Sequence, residues 1–307
     1  MKIDVADLDC IYLSYDEPQK EEFWVKIRNM VPWAQRVDGV KGSDAAHKAA
    51  ADASGTERFI LIDGDNLPDE RFFNQTLEFA DTSWQQAVYR WRARNHINGL
   101  MYGNGGLSSW TREFAWNMRT HERTDGRDST AVEFCFDPSY WAMYDCYSTT
   151  YPNGSPKHAW RAGFREGVKM CLDQGKRPTV NEFRARVHRR NLDHLTIWHN
   201  VGLDVDQGAW AIAGARMGTY KTMLTDWDYR DVQSFDALDQ IWESIQGIDS
   251  AELIVRYQKL LNTQLDLPMN VLMPGESKFF KHHYRSNWHN QGVMTREIDV
   301  IRQQEGW

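Results

Sequence analysis

Short apolar runs alternate with amphipathic segments along the first third of the chain. Asp9-Cys10-Ile11-Tyr12-Leu13-Ser14 reads as a strand, closed by the polar Tyr15-Asp16-Glu17-Pro18. Residues 21–30 carry Phe23, Trp24, Ile27 and Met30 at helical spacing. Residues 34–37 read as a short second strand. An alanine-rich helix follows over 44–51, with Ser43 or Asp44 as its cap. Phe59-Ile60-Leu61-Ile62 is apolar at every position, as in a strand covered on both faces. This alternation predicts an α/β fold built on a mostly parallel sheet flanked by helices.

The pattern is less regular farther on. Residues 84–92 read as a strand, and 133–136 as another. Between them, Asn95 to Gly106 is dense in glycine, which predicts a loop where backbone approaches something closely. Residues 160–172 read as a helix. The stretch 195–220 mixes helical signals with Gly202, Gly208, Gly214 and Gly218, so close helix packing is expected. Residues 234–245 and 249–261 read as amphipathic helices, the second capped by Asp249 or Ser250. From Pro274 onward the sequence reads as irregular.

The strongest chemical signal lies where the strand 59–62 runs into Asp63-Gly64-Asp65-Asn66. Period-two alternation puts Asp63 and Asp65 on one side if strand geometry persists. Gly64 lets the backbone bend and removes a side chain that would crowd a ligand. Two hard carboxylates at a strand's carboxyl end suit Mn²⁺ or Mg²⁺, which in turn grips a diphosphate. The same string is also ordinary turn chemistry. The apolar strand before it favours the metal reading, because open α/β sheets bind ligands at the carboxyl ends of their strands.

Composition narrows the classes. The chain has 307 residues, enough for a sizeable core. No apolar run is long enough to span a bilayer. The N-terminus carries three aspartates within nine residues and no apolar segment of signal-peptide type. Cys10, Cys135, Cys146 and Cys171 lack metal-ligand spacing and read as reduced thiols. A cytoplasmic protein with no membrane partner is the expectation. A net charge of −7 argues against a uniformly basic nucleic-acid binder. Residues 157–190, however, hold ten Lys/Arg against three Asp/Glu, compatible with a local polyanion-binding face or with a solvated helix surface.

The order and spacing of Ile11–Asp16, Gly39–Ala51 and Ile62-Asp63-Gly64-Asp65 resemble GT-A glycosyltransferases of the family 2-like branch, over roughly residues 11–172. Three further blocks look like glycosyltransferases encoded by tailed bacteriophages. They are Asn98-Gly99-Leu100-Met101-Tyr102-Gly103-Asn104-Gly105-Gly106, Trp160-Arg161-Ala162-Gly163-Phe164-Arg165-Glu166, and 210–218. The resemblance implies a GT-A-like catalytic domain over 1–220, with a donor half 1–83 and an acceptor half 84–220, and a helical C-terminal region 221–307 packing on it. It implies a nucleotide-sugar donor such as UDP-glucose, held by Ser14, Tyr15, Asp16, Lys41, Gly42, Lys48 and Asp63. The metal, Mn²⁺ or Mg²⁺, would sit on Asp63 and Asp65. It implies as acceptor a 5-hydroxymethylated pyrimidine in DNA, in the host cytoplasm if the chain is phage-encoded.

The acceptor side is then expected from Arg92, Arg94, Asn98, Asn104, Gly105, Gly106, Trp160 and Arg161, since interleaved arginines and aromatics suit phosphates and bases. Glu166 and Asp137 are the candidates for the base that takes the acceptor's proton if the reaction inverts; a retaining reaction needs none. His199, His282 and His283 are candidate third metal ligands. Lys278 and Lys281 are candidates for the leaving-group clamp. A surface glycan, lipid or protein acceptor remains open, as does a nucleotidyltransferase. The latter usually shows a glycine-rich loop after its first strand, where this chain has Ser14-Tyr15-Asp16-Glu17-Pro18. A non-enzymatic nucleotide- or DNA-binding protein is the fourth reading.

Overall fold

The structure, a computed structural model, describes residues 1–79, 81, 83–118, 120 and 139–284, residues 83 and 103–105 by their backbone alone. In chain order the elements are β1 (Lys2–Asp4), β2 (Asp9–Ser14), α1 (Lys20–Met30), β3 (Gln35–Asp38), α2 (Ser43–Ala53) and β4 (Arg58–Asp63). Next come β5 (Asn66–Pro68), β6 (Thr76–Glu78), β7 (Val88–Asn95), β8 (Met101–Thr111), α3 (Arg112–Asn117) and β9 (Tyr140–Thr150). The helices α4 (Pro156–Lys169), α5 (Phe183–Arg186), α6 (Arg189–Asn200), α7 (Gly208–Leu224), α8 (Phe235–Ser244), α9 (Ser250–Leu265) and α10 (Pro274–His283) complete the described chain. The protein is α/β, as its sequence pattern predicts.

Seven strands form the main sheet in the order β3-β2-β4-β8-β7-β9-β5. β2 lies parallel to both β3 and β4, and β7 parallel to β9. β8 runs antiparallel to β4 and β7, and β5 antiparallel to β9. The sheet is therefore mixed, where the sequence reading expected it mostly parallel. The cause is the short β7–β8 connection. Antiparallel neighbours can be joined by a tight turn, whereas parallel ones need a crossover. Asn98-Gly99 makes that turn, with Gly99 at φ +76°. Asn95 and Asn98 accept from the backbone N–H groups of Ile97 and Leu100, at 2.9 and 3.1 Å. The glycine-dense stretch is thus a turn followed by a strand, not a long loop.

Alternation along the central strands explains the layers. Cys10, Tyr12, Ile60 and Ile62 pack with Phe23 and Ile27 of α1 on one face. Ile11, Phe59 and Leu61 pack with Ala50 and Ala51 of α2 and with Trp110 on the other. A strand apolar at every position is what two covered faces require.

The helical layer is organised by α4 and α7, which touch backbone to backbone. A Cβ on Gly163 would stand 2.0 Å from the Ala211 carbonyl oxygen, and one on Gly214 2.1 Å from that of Trp160. Gly167 and Gly218 repeat the pattern one turn on. Trp160, Phe164, Ile212, Leu238, Leu253 and Leu261 share one core, so α8 and α9 pack on α4 and α7. The stretch from Pro274, read from sequence as irregular, is helical to His283. Glu276 caps its first turn by accepting from the Met273 N–H at 2.8 Å. Its Lys281 makes an ion pair with Asp204 at 2.6 Å. Among the described residues no helix is long and apolar enough to cross a membrane.

Candidate functional site at the carboxyl ends of the central strands

β2 connects outward to β3, and β3 returns across it to β4 on the other side. The carboxyl ends of β2 and β4 thus flank a point where the winding reverses, the usual ligand position in open α/β sheets. β4 ends at Asp63, and Gly64-Asp65 turns the chain into β5. Gly64 is required there: a Cβ would stand 2.3 Å from a Glu17 carboxylate oxygen. The Tyr12 hydroxyl donates to the Gly64 carbonyl at 2.8 Å, and the Tyr151 N–H to that of Asp65 at 2.7 Å. The Thr150 hydroxyl donates to Asp65 Oδ2 at 3.1 Å. Gly106, on β8 at φ +70°, lies flush against Asp63. So the glycine-rich stretch does bring backbone close to the acidic pair, although as a strand.

Both aspartates keep a partly exposed edge. Burial, with Asp65 and Glu17 beside it, pushes the Asp63 carboxyl up to about 8. Burial and then Glu17 push Asp65 up to about 6, against the Thr150 hydrogen bond. No Lys, Arg or His makes an ion pair with either, among the described residues. A pair of crowded, largely desolvated carboxylates with no direct ion pair fits a hard divalent ion. No group of three His, Cys, Asp or Glu assembles among the described residues. Mg²⁺-type sites commonly use one or two carboxylates and take their remaining ligands from phosphate and water.

α4 walls the cleft. Ser155 caps it, accepting from the His158 N–H at 3.3 Å. His158 and Arg161 approach Asp16 Oδ1 at 3.5 and 3.6 Å. Their contacts hold the Asp16 carboxyl down to about 2. Ser14 donates to Asp38 at 2.7 Å, and Lys20 bonds both Asp38 and the Tyr15 carbonyl at 2.7 Å. Glu166, two turns beyond His158, accepts a short hydrogen bond from the Tyr102 hydroxyl. That hydroxyl accepts from Trp198 Nε1 at 2.7 Å, and Lys169 lies 3.5 Å from Glu166. Burial and the Glu166 carboxylate keep the Tyr102 phenol protonated, well above its ordinary range.

Ser14, Tyr15, Asp16, Asp63, Asp65, Gly106 and Arg161 therefore collect at the carboxyl ends of β2 and β4, and Glu166 lies farther along α4 against Tyr102 of β8. Other expected site residues do not. Lys48 pairs with Asp44 on its own helix at 3.3 Å and lies over Trp116. Lys41 is exposed one strand farther out, beside Gly42 at φ +93°. Trp160 is fully buried against Phe164 and Trp242, a core residue that cannot meet an acceptor. Asn98 is buried in the β7–β8 turn. His199 is buried against Thr219 at 2.9 Å, which removes it as a metal ligand. His282 and His283 meet edge to face at the end of α10, where His283 stacks on Phe279. Lys281 is committed to Asp204, and Lys278 is exposed on α10. Asp137 lies outside the described residues, as do the strand expected at 133–136, the side chain of Asn104 and the surroundings of Gly105.

The basic stretch 157–190 is partly neutralised within the protein. Lys157 pairs with Asp239, Arg184 with Asp266, and Arg186 with Asp173. Arg177 donates to three backbone carbonyls. Arg90, Arg92 and Arg94 share one face of β7, with Arg90 over Tyr140 at 4.7 Å and Arg92 over Tyr144 at 4.9 Å. Glu17, Tyr102, Thr150 and His158 are site residues that sequence reasoning missed. They come from four separate segments, and no local motif joins them to Asp63.

No protein-family model matches the chain, and no curated protein matches it either.

Proposed function

We propose that the protein is a divalent-metal-dependent glycosyltransferase of GT-A type. Asp63 and Asp65 hold Mn²⁺ or Mg²⁺, and the donor is a nucleotide sugar such as UDP-glucose. The observation that carries this reading is the Asp63-Gly64-Asp65 turn at the winding reversal, crowded by Glu17 and floored by Gly106. The bound ion would offset negative charge gathering on the departing nucleoside diphosphate. Ser14, Tyr15 and Asp38, at the ends of β2 and β3, stand where the nucleoside would lie. Glu166 is the acceptor-side carboxylate: Tyr102 holds one oxygen, and the other, with Lys169 at 3.5 Å, would take the incoming hydroxyl proton. The acceptor in this reading is a 5-hydroxymethylated pyrimidine of DNA, exposed or flipped from its stack. The arginine–tyrosine face of β7 and β9 supports that choice, because phosphate contacts and base stacking need those side chains.

The test is to incubate the protein with Mn²⁺, a panel of nucleotide sugars, and DNA carrying plain or 5-hydroxymethylated pyrimidines, then weigh the nucleosides. A sugar-sized gain on the hydroxymethylated base alone is the expected result. Slow metal-dependent hydrolysis of one nucleotide sugar without gain on DNA would keep the transferase and discard the acceptor. No turnover of any donor would sink both.

A further inference from the structure

Two buried guanidinium groups of this protein are fully partnered, and a third, half-buried one is not. Arg58 donates to Ser109 and to the carbonyls of Gln85 and Ala87. Arg216 donates to the carbonyls of His199 and Ile254 and to Asn200. Arg165 makes no hydrogen bond and no ion pair among the described residues, and its buried Nε has no partner. Its near neighbour is the Phe235 ring, 5.6 Å away. Arg161, one turn earlier, lies over the same ring at 4.5 Å but is tied to Asp16.

Arg165 is also placed by the site. It lies on α4, in the electrostatic reach of Glu166, Arg161 and Asp65. Glu166 is already engaged by Tyr102 and Lys169. Only its Nε is withdrawn from water, and without a partner, while the rest of the half-buried guanidinium stays accessible, so a ligand that reaches it would complete the group. Its planar fork matches a pair of phosphate oxygens. Arg165 follows Arg161, which meets Asp16, by one turn of the helix that walls the cleft, and that placement suits the phosphate that leaves.

We infer that Arg165 binds the terminal phosphate of the donor's nucleoside diphosphate, facing the ion held by Asp63 and Asp65. This inference rests on the transferase reading above and adds to it a leaving-group residue that no motif marks.

The experiment is calorimetric titration, with Mn²⁺ present, of UDP, GDP, ADP, CDP and dTDP into wild type, Arg165→Gln and Arg165→Lys. The nucleoside of whichever diphosphate binds is titrated in parallel. The expected result is a loss of roughly tenfold to hundredfold in diphosphate affinity for Arg165→Gln. Arg165→Lys should fall between, and nucleoside affinity should stay unchanged. The melting temperature of Arg165→Gln should hold or rise, since an unpaired charge is removed. Unchanged diphosphate affinity, or equal loss for the nucleoside, overturns the inference while leaving the transferase standing. Loss confined to a hydroxymethylated oligonucleotide moves the contact to the acceptor and overturns it too. If no diphosphate binds wild type, the transferase reading itself fails.

Discussion

Gly106 lies so close to Asp63 that a Cβ on it would stand 2.9 Å from both the Asp63 Cβ and Oδ2. At φ +70° the position also disfavours any L side chain. Gly106→Ala should therefore displace the Asp63 carboxylate and destabilise the fold by about 1–3 kcal/mol. Thermal melting with and without Mn²⁺ plus the bound diphosphate checks this. Wild type should gain stability from the pair, and the variant should gain little. An equal gain would mean that Gly106 does not shape the ion site.

Asp63→Asn should have opposite effects on stability and function. It removes a carboxyl that burial pushes up to about 8 and that costs stability at pH 7, where the unfolded chain leaves it ionised, so the ligand-free protein should become more stable by about 1 kcal/mol or more. Transfer and ion-dependent stabilisation should vanish. Urea unfolding and a turnover assay on the same preparation measure both. A destabilised variant would show that the carboxylate supports the fold rather than the ligand.

Tyr102→Phe deletes the hydroxyl that links Glu166 to Trp198. If Glu166 is the base, kcat should fall about tenfold or more while the donor's KM stays put. Loss of the two bonds should also cost about 1–2 kcal/mol of stability. A changed donor KM with normal kcat would instead place the phenol in donor binding.

The α4–α7 crossing is intolerant of any side chain at its glycines. Gly214→Ala would put a Cβ 2.1 Å from the Trp160 carbonyl oxygen and should destabilise the fold by about 1–3 kcal/mol. An Ala in place of Gly elsewhere in a helix is ordinarily stabilising, so the sign decides. Chemical denaturation of the variant reads it directly.

Stability should depend on His199 at mildly acid pH. Burial and the nearby Arg216 hold its imidazole down to about 3, from an ordinary 6.5. Below pH 6.5 the unfolded chain takes up a proton that the folded protein refuses. Its contribution is therefore intact at pH 7 and lost as pH falls toward 3, by up to about 1.4 kcal/mol per pH unit. The raised carboxyls of Asp63 and Asp65 act with the opposite sign, so wild type alone is ambiguous. Urea unfolding of wild type and His199→Gln from pH 7 to 5 isolates the histidine; parallel curves would contradict its buried neutral state.

What could be read from sequence was what local pattern encodes. β2 was expected at its observed bounds, and β4 and α1 came within a residue at each end, because two-sided burial and helical periodicity leave a direct trace in residue order. Asp63 and Asp65 were legible because the strand and the turn are consecutive. The β7–β8 hairpin was misread even though Asn98-Gly99 is a strong turn signal, since the glycines beyond it masked a strand that pairs with β4 and β7. α10 was misread because its anchor, Asp204, is remote in the chain.

The sequence by itself determined the α/β class, the central strands, the glycine-mediated helix contact and the acidic turn. Each is set by neighbours within a few residues or by one residue type. Only the tertiary structure decided which charges are spent and which are left. Arg161 and Lys48 look alike in sequence to Arg165, yet the first two have carboxylate partners and the third has none. Partnership and burial depend on segments far apart in the chain. Those two quantities, rather than residue type, fix whether a charged group holds the fold together or waits for a ligand.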